Sequence, residues 1–187
     1  MTVTIHKAEW TKITAERKCG SCYACCVWLG IVELQKHTAQ ACKHLSGTLS
    51  DDGTKRCSIY ADRPTACSRY QCLWVEGYGP DWLQPSNSGI LLTPYASQMG
   101  SNFAITMMVF DEKKAKPIYK KVITELLQLH NDLELRVVRW ASQTAILFVK
   151  GLIYDCKLLP NRDFESLDFM ADMSAPVGRY VTATLPE

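Results

Sequence analysis

The chain has 187 residues, 47% hydrophobic and 21% charged, with 21 Lys and Arg set against 19 Asp and Glu for a formal net charge of +2. That length suits one globular domain, or a small stapled module on a modest core. Nearly balanced charge gives no electrostatic case for nucleic acid or anionic lipid, and no run of eighteen apolar residues offers a membrane-spanning helix.

Residues 1–18 carry Lys7, Glu9, Lys12, Glu16, Arg17 and Lys18 and contain no apolar h-region, so no signal peptide is expected. The segment up to Thr14 is mildly amphipathic and fits no one class. The expected address is the cytoplasm, where thiols are kept reduced. There, clustered cysteines favour metal over disulfides, a preference that export by another route would reverse.

Eight of the nine cysteines then fall between Cys19 and Cys72. They open as Cys19-Gly-Ser-Cys22-Tyr-Ala-Cys25-Cys26 and return singly at Cys42, Cys57, Cys67 and Cys72. Residues 15–75 hold few aliphatic side chains and read as a cysteine-rich, metal-organised module. Within it, Cys19 to Cys26 reads as irregular turn and Gly30 to Leu34 as a short strand. Asp51-Asp52-Gly53 is a turn signal. Asp62 is a candidate cap for a helix with Pro64 in its first turn, carrying Cys67 and ending near Cys72.

Residues 76–187 read as an α+β region packed on that module. Glu76 to Ser88, with Gly77, Gly79, Pro80 and Pro85, reads as a loop. Strands are expected at Gly89 to Thr93, Phe103 to Phe110 and Leu133 to Val138. Ala145 to Tyr154 reads as one further strand, bent or bulged at Gly151. The cleanest helix spans Pro117 to His130, where Ile118, Val122, Leu126 and Leu129 recur at helical spacing. The tail from Asn161 has little periodicity. The fold class expected is therefore α+β: an irregular cysteine-rich lobe packed against a small C-terminal sheet with at least one long helix.

Cysteines three positions apart on a tight loop can present both sulfurs to one ion at about 2.3 Å, the usual Zn–S distance. Cys19, Cys22 and Cys25 make two overlapping pairs of that kind. Adjacent side chains diverge, so Cys25 and Cys26 suit two different ions, or two irons of one cluster. Eight thiolates fit two four-coordinate sites or a polynuclear cluster, whereas one mononuclear zinc would leave four thiols without a role. All-sulfur ligation serves zinc and iron–sulfur chemistry alike, with adjacent cysteines tilting the balance slightly to iron–sulfur. Arg63 and Tyr60 are candidate donors to sulfur, although Arg63 could equally pair with Asp62. Of the four histidines only His44 lies near a cysteine, and it reads as an ordinary surface residue rather than a ligand.

The run Cys19-x2-Cys22-x2-Cys25-Cys26, then Cys42, then Cys57-Ser-Ile-Tyr-Ala-Asp-Arg-Pro-Thr-Ala-Cys67 and Cys72, resembles the CxxCxxCC family of zinc- or iron-chelating cysteine-cluster proteins. The resemblance covers about a third of the chain and departs where members often carry arginine directly after the cysteine that follows Arg-Pro; here Ser68 intervenes before Arg69. It implies a bound metal at Cys19, Cys22, Cys25, Cys26, Cys42, Cys57, Cys67 and Cys72. A relative, the flagellin lysine N-methylase, couples such a cluster to methyl transfer.

Remaining signals read as structural. Gly77-Tyr78-Gly79 lacks the flanking strand and helix of a nucleotide cradle. Lys113, Lys114, Lys116, Lys120 and Lys121 read as a solvated face. Trp28, Trp74, Trp82 and Trp140 read as packing, and Cys156 as a small buried hydrophobe. The expected function is metal binding with a structural, redox or metal-handling role. The alternatives are a methyltransferase-like enzyme and a zinc-stabilised module binding a protein or, less readily, nucleic acid.

Overall fold

The computed structural model describes Trp10 and residues 17–46, 57–97, 100–129, 132–158, 169–171 and 176–179. Three short helices come first: α1 (Ala24–Trp28), α2 (Thr65–Arg69) and α3 (Pro85–Ser88). Strands β1 (Ile90–Pro94) and β2 (Phe103–Val109) follow, then helices α4 (Glu112–Ala115) and α5 (Tyr119–Leu129). The chain continues as β3 (Leu133–Arg139), β4 (Thr144–Val149), β5 (Leu152–Leu158), β6 (Phe169–Ala171) and β7 (Gly178–Arg179).

These strands form one mixed sheet in the order β1-β2-β3-β4-β5-β6, with β7 also paired to β5. Only β2 and β3 run parallel, in register from Phe103↔Leu133 to Val109↔Arg139. A parallel pair cannot be joined by a tight hairpin, and α4 and α5 supply the crossover. Asp111 starts that crossover: its carboxylate accepts from the Lys113 and Lys114 amides at the N-terminus of α4.

Alternation along the strands divides the sheet into two covered faces. Ile90, Leu92, Ile105, Met107, Leu133, Leu135 and Val137 point to one side and pack with Val122, Ile123, Leu126 and Leu127 of α5. Leu91 and Met108, each between residues of that set, point to the other side and meet Ala24 and Cys72. Farther along this second face Val138, Leu147, Val149, Tyr154 and Cys156 make a separate cluster. The cysteine-bearing segment and α5 therefore cover opposite faces of the sheet.

This arrangement overturns the α+β expectation of a distinct cysteine lobe against a small sheet with a long helix. The sheet dominates the molecule, and among the described residues the longest helix is α5, with 11 residues. Residues 116–118 form a turn, so helix begins only at Tyr119 although the apolar spacing starts at Ile118. The expected strand from Ala145 to Tyr154 is instead a hairpin, with Lys150 (φ 49°) and Gly151 (φ 78°) making its two-residue turn. Both positions are left-handed, as the twist-matched hairpin turn requires. A two-residue turn between apolar runs leaves almost no gap in the hydrophobic pattern, so sequence reading merged the strands.

Smaller differences concern the cysteine segment. Val32–Leu34 is a 3-10 turn flanked by an isolated bridge between Ile31 and Lys36, not a strand. Helix α2 starts after Pro64 with no side-chain cap and stops at Arg69, so Asp62 does not cap it and it ends short of Cys72. The expected loop at Glu76 to Ser88 contains a 3-10 turn at Asp81–Leu83 as well as α3. The expected turn at Asp51 to Gly53 lies outside the described residues, as does most of the tail beyond Asn161. Among the described residues no helix is long and apolar enough to cross a membrane.

Candidate metal centre

Helix α1 is short, so its seating depends on one face. Ala24 and Trp28, four residues apart, lie on the same side. Ala24 packs on Leu91 and Met108, and Trp28 stacks on Phe110 at 5.6 Å and meets Trp140 edge-on at 5.7 Å. Cys25 and Cys26 sit between these anchors. Ahead of α1, the Cys22 amide donates to the Cys19 carbonyl at 2.9 Å, closing a turn.

Backbone hydrogen bonds bring the later cysteines to the same place. The Cys42 amide donates to the Cys26 carbonyl at 2.9 Å, and an antiparallel bridge pairs Leu45 with Cys57. The Ala66 amide at the start of α2 donates to Glu33 Oε1 at 3.2 Å, bringing Cys67 in. The Leu73 amide donates to the Leu92 carbonyl at 3.1 Å and ties the stretch containing Cys72 to β1.

As a result Cys19, Cys22, Cys25, Cys26, Cys42, Cys57 and Cys67 line one cavity of about 240 Å³. Leu29, Ile31 and Leu34 supply apolar wall, and His44, Tyr60, Arg63 and Tyr70 complete it. Cys72 is buried behind this cavity and lines an adjoining one. Cys156 lies on β5 in the separate cluster of the second face. All nine cysteines are free thiols. Arg63 stacks over the Tyr60 ring at 4.0 Å.

Among the described residues no group of three or more His, Cys, Asp or Glu side chains is arranged to hold a metal ion as it stands. The donors share a cavity without converging on a point. A change of rotamer moves each sulfur while leaving its backbone in place.

The electrostatics are those of crowded sulfur. Burial pushes the Cys19 and Cys22 thiols up, and neighbouring thiols push in the same direction. Burial raises Cys67, reinforced by Cys42, Cys26 and Cys57, and raises Cys72 to about 11. Cys25 donates to Cys26, and this bond holds Cys25 well up and brings Cys26 down to about 7. Lys36 adds to the lowering of Cys26.

Sequence reading missed Lys36. It is only 3% exposed, and its ammonium donates to the carbonyls of Val27 at 3.0 Å, His37 at 3.2 Å and Leu29. It therefore satisfies carbonyls at the C-terminal end of α1, where a cation is favoured. Burial lowers its pKa, while the surrounding cysteines Cys42, Cys26, Cys25 and Cys67 pull it back up. Nothing in the polar stretch Leu34-Gln35-Lys36-His37 signals this. Arg17 was also missed: it is 7% exposed, donates to the carbonyls of Trp74, Tyr78 and Gly79, and pairs with Asp81 at 2.8 Å.

Comparison with protein-family models, curated proteins and solved structures finds no match to this chain. The resemblance to the CxxCxxCC family rests on the motif residues between Cys19 and Cys72, Ile59-Tyr60 and Arg63-Pro64 included, and on nothing beyond them.

Proposed function

We propose that this protein binds metal through its cysteine-lined cavity, holding zinc or an iron–sulfur cluster in a structural, redox or metal-handling role. The supporting observation is the gathering of seven free thiols, from segments up to 48 residues apart in sequence, around one space of about 240 Å³. The donor set fits: sulfur on every side is what zinc and iron–sulfur centres take. A cavity of this size is wider than one ion with sulfurs at about 2.3 Å requires, which favours a polynuclear centre. Cations would also stabilise thiolates that burial and mutual repulsion otherwise disfavour.

Under this reading Cys19, Cys22, Cys25, Cys26, Cys42, Cys57 and Cys67 are the candidate ligands, and Cys72 is a buried neighbour that joins them only if its side chain swings across. Reduced thiols of this kind belong in the cytoplasm. The test is anaerobic purification with quantitation of zinc, iron and acid-labile sulfide. A coloured protein carrying iron and sulfide identifies a cluster, and a colourless one carrying zinc identifies a zinc centre. Protein that binds neither, after reconstitution with each, sinks the reading.

A further inference from the structure

The Arg17 guanidinium, two residues before Cys19, reaches into the backbone of residues 74–81. Its Nη1 donates to the Trp74 carbonyl at 3.1 Å and the Tyr78 carbonyl at 3.2 Å. Its Nη2 donates to the Gly79 carbonyl and to Asp81 Oδ1, both at 2.8 Å. We propose that Arg17 is a positioning residue of the metal centre: anchored in this socket, it sets where Cys19 presents its sulfur. This role rests on the metal reading and deepens it, by naming a residue outside the ligand set on which one ligand depends.

Cys19 needs such an anchor more than the other candidate ligands do. It is the one exposed cysteine of the nine. It also precedes α1, whose own seat on the sheet comes from Ala24 and Trp28 farther along. Its carbonyl accepts from the Cys22 amide at 2.9 Å, which fixes it only to its own turn, and from the Gln84 side chain at 3.4 Å. Gln84 belongs to the stretch of chain that receives Arg17. Ser86, two residues on, is in hydrogen-bond contact with the Cys22 sulfur. Residues 74–86 thus serve the first cysteine pair as the sheet serves Cys25 and Cys26.

The socket is itself held in place. The Tyr78 amide donates to the Leu73 carbonyl at 2.9 Å, and the Leu73 amide to Leu92 of β1 at 3.1 Å. Gly79 is left-handed (φ 78°), and a Cβ there would stand 2.9 Å from Leu83 Cδ2 and 3.4 Å from the Trp10 ring. Trp10 in turn donates to the buried Glu125 carboxylate of α5 at 2.8 Å. A guanidinium suits several diverging acceptors because its planar fork aims five donors in fixed directions, whereas an ammonium is a compact point charge. The Arg17 side chain is 7% exposed, so its bonds to carbonyls are shielded from water. The Asp81 carboxylate is 90% exposed and adds little as an ion pair. What Arg17 supplies is therefore position rather than charge.

The experiment titrates full-length, metal-free protein anaerobically with Co2+, read by the absorption of its bonds to thiolate. Arg17→Met is expected to weaken Co2+ binding about tenfold, as loss of a group that orients a ligand does. Cys19→Ser should weaken it at least as much, and Asp81→Asn should bind like the parent. Arg17→Met added to Cys19→Ser is expected to weaken binding no further, because both substitutions act on one sulfur. A merely structural arginine would instead add its full effect to that of Cys19→Ser. Arg17→Lys keeps the charge without the fork and should still bind more weakly than the parent; it carries the same cycle if Arg17→Met does not fold. Parent-like binding by Arg17→Met or by Cys19→Ser, additive losses in the double variant, or full rescue by lysine each overturns the role given to Arg17 and leaves the metal reading intact. Parent protein that takes up no Co2+ also overturns it, and if that protein binds neither zinc nor iron the metal reading goes with it.

Discussion

Cys25 and Cys26 show how neighbours with one chemistry acquire different behaviour. The hydrogen bond between them holds the proton on Cys25 and favours the thiolate of Cys26, with buried Lys36 reinforcing the latter. In metal-free protein near neutral pH, Cys26 is therefore expected to be alkylated before Cys25 or Cys72. Iodoacetamide pulses followed by peptide mass spectrometry would check the order; equal labelling of Cys25 and Cys26 would contradict it. Serine in place of Cys22 or Cys57 should lower metal content and leave the segment around the cavity more open to protease. Both variants retaining full metal and native protection would remove those residues from the ligand set. Lys36→Met should cost about 1–3 kcal/mol, because it strips a donor from buried carbonyls at the end of α1. Chemical denaturation of the metal-free variant measures that loss without involving the ligands. The cysteine spacing pointed to the thiols as candidates, but Lys36 could not be found that way. Its importance comes from three carbonyls that only the folded backbone places around it.

At the scale of elements, glycines test whether a turn or a close approach governs the backbone. Gly151 (φ 78°) has nothing within 4 Å of where a Cβ would stand, so Gly151→Ala should cost only the left-handed penalty of about 1–2 kcal/mol. Gly89 (φ 70°) combines the same conformation with a Cβ position 2.5 Å from the Asp111 carbonyl oxygen. Gly89→Ala should therefore be clearly the more damaging, since backbone at the start of the α4 crossover would have to move. Equal denaturation midpoints for the two variants would mean that the contact at Gly89 is relieved cheaply. Strands β1, β2 and β3 were legible almost to the residue, because short, largely apolar runs bounded by turn residues are too brief for buried helices. The β4–β5 hairpin was not legible, since Lys150-Gly151 hardly interrupts the apolar run. Helix α5 was located but overextended, because apolar spacing does not register that residues 116–118 turn before it.

Over the whole molecule, the cysteine segment depends on the sheet for its seat, while the sheet has α5 on its other face. Chelation is therefore expected to expose amides of residues 17–46 and 57–72 to hydrogen exchange while β2, β3 and β4 stay protected. Uniform loss of protection would mean that metal and sheet fold as one unit. The metal-free protein should also lose stability in alkali. Cys19, Cys22, Cys25, Cys67 and Cys72 have thiols raised from an ordinary 9.0, Cys72 to about 11. The unfolded chain thus releases these protons first. Their contribution is complete below pH 9 and declines as pH rises toward 11, with Cys26 acting in the opposite sense between about 7 and 9. Metal-loaded protein should reverse the trend and weaken in acid, as protons displace metal from sulfur. Melting temperatures across pH for both forms test the pair of expectations.

Residue type and local spacing alone singled out a sulfur-rich segment, the strands around the α5 crossover and that helix's apolar stripe, because each is a short-range pattern. Tertiary structure decided which thiols share a cavity, that Cys72 stands behind it, and that the whole segment covers a sheet face rather than forming its own lobe. Those outcomes depend on contacts between distant stretches, such as Ala24 with Leu91 and Met108, and on bonds such as Cys42 to Cys26. Such partners have no fixed separation along the chain, so no local pattern specifies them.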